Sequence, residues 1–138
     1  MSVRNIDQGF YSVSSPNMLK SILIEVGATD SSLFANTPTQ VFQNNQQITL
    51  IIPPYSHTFT GGGSIQINLP PEISLETSTN TYNFPIIISD GVNYNTVSLV
   101  LNVSSGQINI YGEINQNLFP LGQFVGWLSP IIITYILN

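Results

Sequence analysis

Thr96-Val-Ser-Leu-Val-Leu-Asn-Val103 alternates strictly, with Val97, Leu99, Leu101 and Val103 on one face. Ser104-Ser-Gly106 follows, a turn cluster whose glycine is free to take positive φ. Gln107-Ile-Asn-Ile-Tyr111 then alternates again, with Ile108 and Ile110 on one face and Asn109 and Tyr111 on the other. Two period-two runs around a short glycine-bearing loop predict a β-hairpin. Downstream, Pro130-Ile-Ile-Ile-Thr-Tyr-Ile-Leu137 is β-branched and apolar. A frayed segment of that composition would aggregate, so the run is expected to be tied into a sheet.

The same period extends backward from the hairpin. Asp90-Gly91 is a turn signal leading into Tyr94. Tyr82 to Ile88 reads as a strand, and its Pro85 argues for a sheet edge or a bulge. Glu72-Ile-Ser-Leu-Glu76 reads as a short strand with Ile73 and Leu75 inward. Ser64-Ile-Gln-Ile-Asn-Leu69 alternates until Pro70-Pro71 stops it, as Pro53-Pro54 stops Gln47-Ile-Thr-Leu-Ile-Ile52. Tyr55 to Thr60 alternates aromatic and polar positions before Gly61-Gly-Gly63. Thr39 to Gln43 pairs with Gln47 to Ile52 across a tight turn at Asn44-Asn45. Met18 to Val26 alternates, with Ile22, Ile24 and Val26 on one side. The segment from Ala28 to Thr39 reads as a loop, with room for one helical turn at Ser31–Ala35.

Nine to eleven short strands, turn signals about every 8–12 residues and no convincing helix predict an all-β, antiparallel β-sandwich. Long loops alternating with tight hairpins favour a jelly-roll-like arrangement. The expected division is a segment 1–17, an edge strand or an arm that reaches a neighbouring subunit, and a single sandwich domain 18–138. Ile22, Ile24, Ile48, Leu50, Ile65, Ile67, Leu99, Leu101, Ile108 and Ile110 are the expected core.

Composition narrows the function. Charged residues make up 7% of the 138 residues, against about 25% in an ordinary soluble domain. Polarity comes instead from Asn, Gln, Ser and Thr. The two cations are Arg4 and Lys20. So few cations cannot neutralise a phosphate backbone or an anionic bilayer, so neither nucleic acid nor membrane insertion is expected. No apolar run approaches the ~20 residues of a membrane span. Without cysteine there is no thiolate nucleophile, disulfide or thiolate metal site.

Catalytic groups are sparse. His57 is the one histidine, and no Gly-x-Ser-x-Gly elbow accompanies it. Glu72 and Glu76 are the closest acidic pair. Four apart on a strand they would stand roughly 13 Å apart, outside glycosidase spacing. No enzyme, metal or cofactor is therefore expected. Gly61-Gly-Gly-Ser64 lacks the lysine and following helix of a phosphate loop.

Two further groups of residues carry function. Aromatic rings stack on the apolar faces of sugars while amides take the hydroxyls, and Tyr55, His57 and Tyr94 are the candidate glycan contacts. The segment Gly112 to Ser129 packs Leu118, Phe119, Phe124 and Trp127 between glycines and prolines. Those four are expected either to be covered by another subunit or to cap an open end of their own sandwich.

Gly106-Gln-Ile-Asn-Ile-Tyr-Gly112 and Ile131-Ile-Ile-Thr-Tyr-Ile-Leu137 resemble the closing strands of small viral and phage structural domains. The likeness is to jelly-roll heads of tail fibres, receptor-binding proteins, capsid spikes and decoration proteins. It covers about the last third of the chain. The resemblance implies a homotrimer on the virion surface that contacts other virion proteins and, as a receptor-binding head, a host-surface glycan. It implies synthesis in the host cytoplasm, in keeping with Met1-Ser-Val-Arg-Asn-Ile-Asp7, which lacks the apolar run of a signal peptide. No shaft-like segment precedes the first strand, which favours a short spike or capsid-bound subunit over a fibre. A carbohydrate-binding module is the alternative.

Overall fold

The computed structural model describes residues 18–31, 34–112 and 118–137. Ten strands follow one another: β1 (Met18–Ala28), β2 (Phe34–Asn44), β3 (Gln47–Ile52), β4 (Tyr55–Thr58), β5 (Ile65–Asn68), β6 (Thr81–Ser89), β7 (Tyr94–Asn102), β8 (Gln107–Tyr111), β9 (Phe124–Trp127) and β10 (Ile131–Ile136). No α-helix occurs among the described residues, and no helix is long and apolar enough to cross a membrane.

All strand pairs are antiparallel, in the order β10-β3-β2-β1-β5-β8-β7-β6-β9-β4. The sheet curls until β10 meets β6. There the Ile136 amide donates to the Tyr82 hydroxyl at 3.2 Å, and the Tyr82 and Tyr135 rings lie 6.4 Å apart. Four of the pairings are nested: β3 with β10, β4 with β9, β5 with β8 and β6 with β7. This is a long antiparallel ribbon rolled onto itself, the jelly-roll-like sandwich that the alternation predicts. The β1–β2 hairpin fills the interval between β3 and β5 and leaves β10 on the outside of the sheet.

The ribbon turns a corner between its two outer segments. Pro53 and Pro54 on one strand face Leu128, Ser129 and Pro130 on the other, so the register slips by one residue. An extra residue on one side of a ladder bends it, and prolines withdraw their amides from pairing. The indole nitrogen of Trp127 clamps the bend by donating to the Pro53 carbonyl at 2.9 Å. Beyond the corner the ribbon continues past β4 and β9. The Phe59 amide donates to Gln123, the Gly122 amide to Phe59, and Gly63 bridges Phe119.

The core is the inward face of the roll. Nine of the ten expected core residues are buried, and Ile22 packs half-buried at its margin. Side chains of this size contribute about 1.5–3 kcal/mol each when fully buried. Tyr135 is also buried, and its hydroxyl donates to the Ile73 carbonyl at 2.6 Å. Burial pushes that phenol well above its usual range. Two of the tight hairpin turns show why a left-handed residue is needed. Asn45 takes φ 57° in the β2–β3 hairpin, and Gly106 takes φ 67° between β7 and β8. A Cβ on Gly106 would also sit 3.0 Å from the Leu69 carbonyl oxygen.

Three local expectations are corrected. Phe34–Pro38 is the start of β2, not loop or helix, because β1 is long enough to pair it out to Gly27. Pro70-Pro71 opens a single 3-10 turn at Pro71–Ile73, so Glu72 to Glu76 is not a strand, although Ile73 and Leu75 do point toward the core. Within Gly112 to Ser129, read as loop, residues 124–127 form β9. The segment 1–17 lies outside the described residues.

Trp127 is both the clamp and a large buried ring. Trp127→Ala should cost about 3–5 kcal/mol, a large share of the roughly 5–15 kcal/mol that ordinarily keeps a domain folded. Urea unfolding followed by circular dichroism checks this; a midpoint unchanged from wild type would refute the role of the clamp.

Candidate functional site

The corner of the ribbon also shapes a cleft. Pro54, Tyr55 and Ser56 from the start of β4, Phe124, Gly126 and Trp127 from β9, Leu128 from the corner, and Ser89 and Gly91 from the β6–β7 turn line a hollow of about 550 Å³. Among the described strands β4 pairs with β9 alone and stands last in the sheet order. Gly126 keeps the two strands close, since a Cβ there would meet Ser56 Cβ at 3.0 Å and the Tyr55 carbonyl at 3.2 Å. Gly91, at φ 97°, lets the β6–β7 turn pass against the Phe124 ring.

Tyr55 tilts against Trp127 with ring centroids 5.6 Å apart. Phe124 is 36% exposed and Leu128 is 78% exposed. A smaller hollow of about 240 Å³ adjoins the cleft and shares Ser89, Trp127 and Leu128 with it; Ile87, Ile88, Tyr94 and Ser129 complete its lining. Together the two form a shallow apolar and aromatic groove with serine hydroxyls at intervals. The turn beside it is held by Asp90, whose carboxylate accepts from the Val92 and Asn93 amides and from Asn95 Nδ2. The Asn93 and Val92 amides hold this carboxyl below its ordinary range, against a smaller opposing effect of burial.

The structure divides the candidate glycan contacts. Tyr55 lines the larger hollow and Tyr94 the adjoining one. His57 shares the Tyr55 face of β4 but is engaged elsewhere. Its Nε2 lies 2.8 Å from Asp30 Oδ1, and its ring meets the Phe59 ring edge-on at 4.9 Å. Asp30 Oδ2 accepts from the Thr60 amide at 2.6 Å and the Thr60 hydroxyl at 3.2 Å. The cluster fastens the β1–β2 connection to the segment after β4.

The role of Asp30 was not legible from the sequence. Its partner is 27 positions away, and only the strand register brings the two together. Burial alone would raise this carboxyl, but the Thr60 amide, the His57 ring with its charge and the Thr60 hydroxyl together lower it.

The expected subunit contacts also divide. Phe119 is 1% exposed and Trp127 4% exposed on the single chain. Phe119 stacks on Phe59 at 5.2 Å, and Trp127 is the corner clamp. These two are core residues, and the expectation that another subunit covers them is corrected. Leu118 and Phe124 stay open, together with Leu121. No group of three or more His, Asp or Glu among the described residues could hold a metal ion.

No family model matches the chain. No curated protein matches it either. Among solved structures, a reovirus attachment protein, sigma1, in a complex with alpha-2,3-sialyllactose, is similar at 14% identity and a TM-score of 0.49. The similarity covers 87% of this chain and 65% of that chain, so this chain spans less than two thirds of that protein's length. Likeness at this level transfers no residue, ligand or partner from one chain to the other.

The Asp30 cluster makes a prediction about acid stability. A carboxylate held below its ordinary value stabilises the fold fully above the unfolded-state pKa of about 3.9, and that contribution disappears as pH falls through the lowered value. Asp30→Asn should cost about 2 kcal/mol at pH 7, from weakened charge-assisted hydrogen bonds. The gap from wild type should shrink as pH falls below about 4. Urea titrations at a series of pH values measure this, and equal stabilities at pH 7 would contradict it.

Proposed function

We propose that this protein is a non-enzymatic structural subunit of a virus-particle surface, and that it attaches to host glycans through the cleft at the β4–β9 end. The observation that carries the reading is that cleft. Tyr55 and Phe124 offer ring faces to the C–H face of a sugar, and Ser56 and Ser89 offer hydroxyls for orientation. Pockets of a few hundred Å³ with apolar walls and a few placed polar groups are the usual form of a small-ligand site.

The virion part of the proposal is supported by the resemblance of Gly106–Gly112 and Ile131–Leu137 to viral closing strands, by the nested roll, and by a surface chemistry of amides rather than charges. The described catalytic candidates support a non-enzymatic reading. His57 is tied to a structural carboxylate, and Glu72, within the 3-10 turn, and Glu76, after it, are exposed. A homotrimer fits the exposed Leu118 and Leu121, side chains of the kind a neighbouring subunit covers. A carbohydrate-binding module unconnected with a particle is the second reading, favoured by the same cleft.

Purified protein on a glycan array is expected to bind, and Phe124→Ala is expected to abolish binding while leaving the fold intact. An antibody to the protein is expected to label intact particles under the electron microscope. Light scattering is expected to give three times the monomer mass. Glycan binding without particle labelling would select the second reading, and absence of both would overturn the proposal.

A further inference from the structure

The charge around the cleft says which glycans it takes. Lys20, on β1, is the single Lys or Arg among the described residues, and it lines neither hollow. None of the cleft-lining residues is a cation. A carboxylate adjoins it instead. Asp90 stands in the chain between the lining residues Ser89 and Gly91 and is held ionised by its turn.

A glycan that carries a carboxylate or sulfate would have to shed water from that anion beside a like charge, with no cation among the lining residues to receive it. Removing a charge from water without a partner is costly, and a like charge nearby adds to the cost. A neutral sugar meets no such penalty. Its C–H face covers Phe124, Tyr55 and the apolar part of Leu128, and its hydroxyls reach the serines and backbone carbonyls.

We infer that the cleft selects neutral glycans, with a terminal hexose or N-acetylhexosamine as the bound unit, and excludes sialylated and sulfated ones. The inference rests on the glycan reading above and sharpens it to a ligand class.

The test is a two-dimensional NMR titration of the intact protein with lactose, N-acetylglucosamine and 3′-sialyllactose, each in low and high sodium chloride. A neutral sugar is expected to shift the Tyr55, Phe124 and Leu128 signals. 3′-Sialyllactose is expected to bind at least about tenfold more weakly than lactose. Affinity for the neutral sugar should be insensitive to salt, because screening acts on charge. Phe124→Ala and, separately, Leu128→Asn should each remove the shifts while the remaining spectrum stays folded; two variants guard against misfolding of either.

Preferential binding of 3′-sialyllactose at these residues would overturn the inference and leave the glycan reading standing. Binding of any sugar elsewhere, with these signals unmoved, would overturn the assignment of the cleft. No shift with any sugar would overturn both readings. Shifts that follow protein concentration and no sugar would give the cleft to a second copy of this chain, and would overturn both as well.

Discussion

Everything in this fold depends on a ribbon that turns a corner without turning its side chains over. In a two-stranded ladder each residue faces the side opposite to its neighbours. If the β3–β10 ladder simply continued flat into β4 and β9, its inward face would leave the core. Pro53 and Pro54 opposite Leu128, Ser129 and Pro130 supply the bend and the one-residue slip together. As a result Ile48, Leu50 and Ile52 before the corner and Val125 and Trp127 after it are buried in the same interior. The bond from Trp127 to the Pro53 carbonyl holds that geometry across 74 positions of sequence.

The same corner opens the cleft. Pro54 and Leu128 of the corner line the hollow, and the glycine at position 126 allows the two strands to stay close there. The clamp and the proposed binding surface therefore share residues. Trp127 is committed to the fold, while Phe124 and Tyr55, on either side of it, remain to meet a ligand. This divides the aromatic residues by burial rather than by type. It also separates the apolar segment 118–128 into core members, Phe119, Val125 and Trp127, and open ones, Leu118, Leu121, Phe124 and Leu128.

How much of this was legible in the sequence follows from the range of the interactions. Alternation is local, and so were the strands, the β7–β8 hairpin and the identity of the core. Pro85 read as an edge signal, and in the structure β6 touches β9 only at Ser89, leaving its side open at the proline. What depends on register was hidden. The Asp30–His57 contact, the corner clamp and the burial of Phe119 each join positions brought together only by the nesting of strands. The segment Phe34–Pro38 failed for a related reason: its turn-forming residues are overruled by the ten-residue ladder with β1. Local propensity yields to pairing where the partner strand is already long enough. The cleft was half legible, since Tyr55 and Tyr94 were singled out by chemistry while Ser56, Ser89 and Gly126 carry no signal of their own.

Nesting also ranks the strand pairings by the entropic cost of closing them. The β6–β7 and β7–β8 hairpins close over four-residue turns. Once they have formed, β5 can add to β8 with the intervening chain already condensed, and β4 can then meet β9. β3 and β10 close the longest loop, with their side-chain hydrogen bond between Thr49 and Thr134 spanning 85 positions. Closing each ribbon segment inside the next converts one long loop into a series of short ones, which lowers the entropic barrier of a topology rich in distant contacts. The price is exposure. Until the outermost pair closes, the β10 run Ile131-Ile-Ile-Thr-Tyr-Ile136 waits as an unpaired, uncharged strand, and the window before closure is when this chain is most open to pairing with the wrong partner.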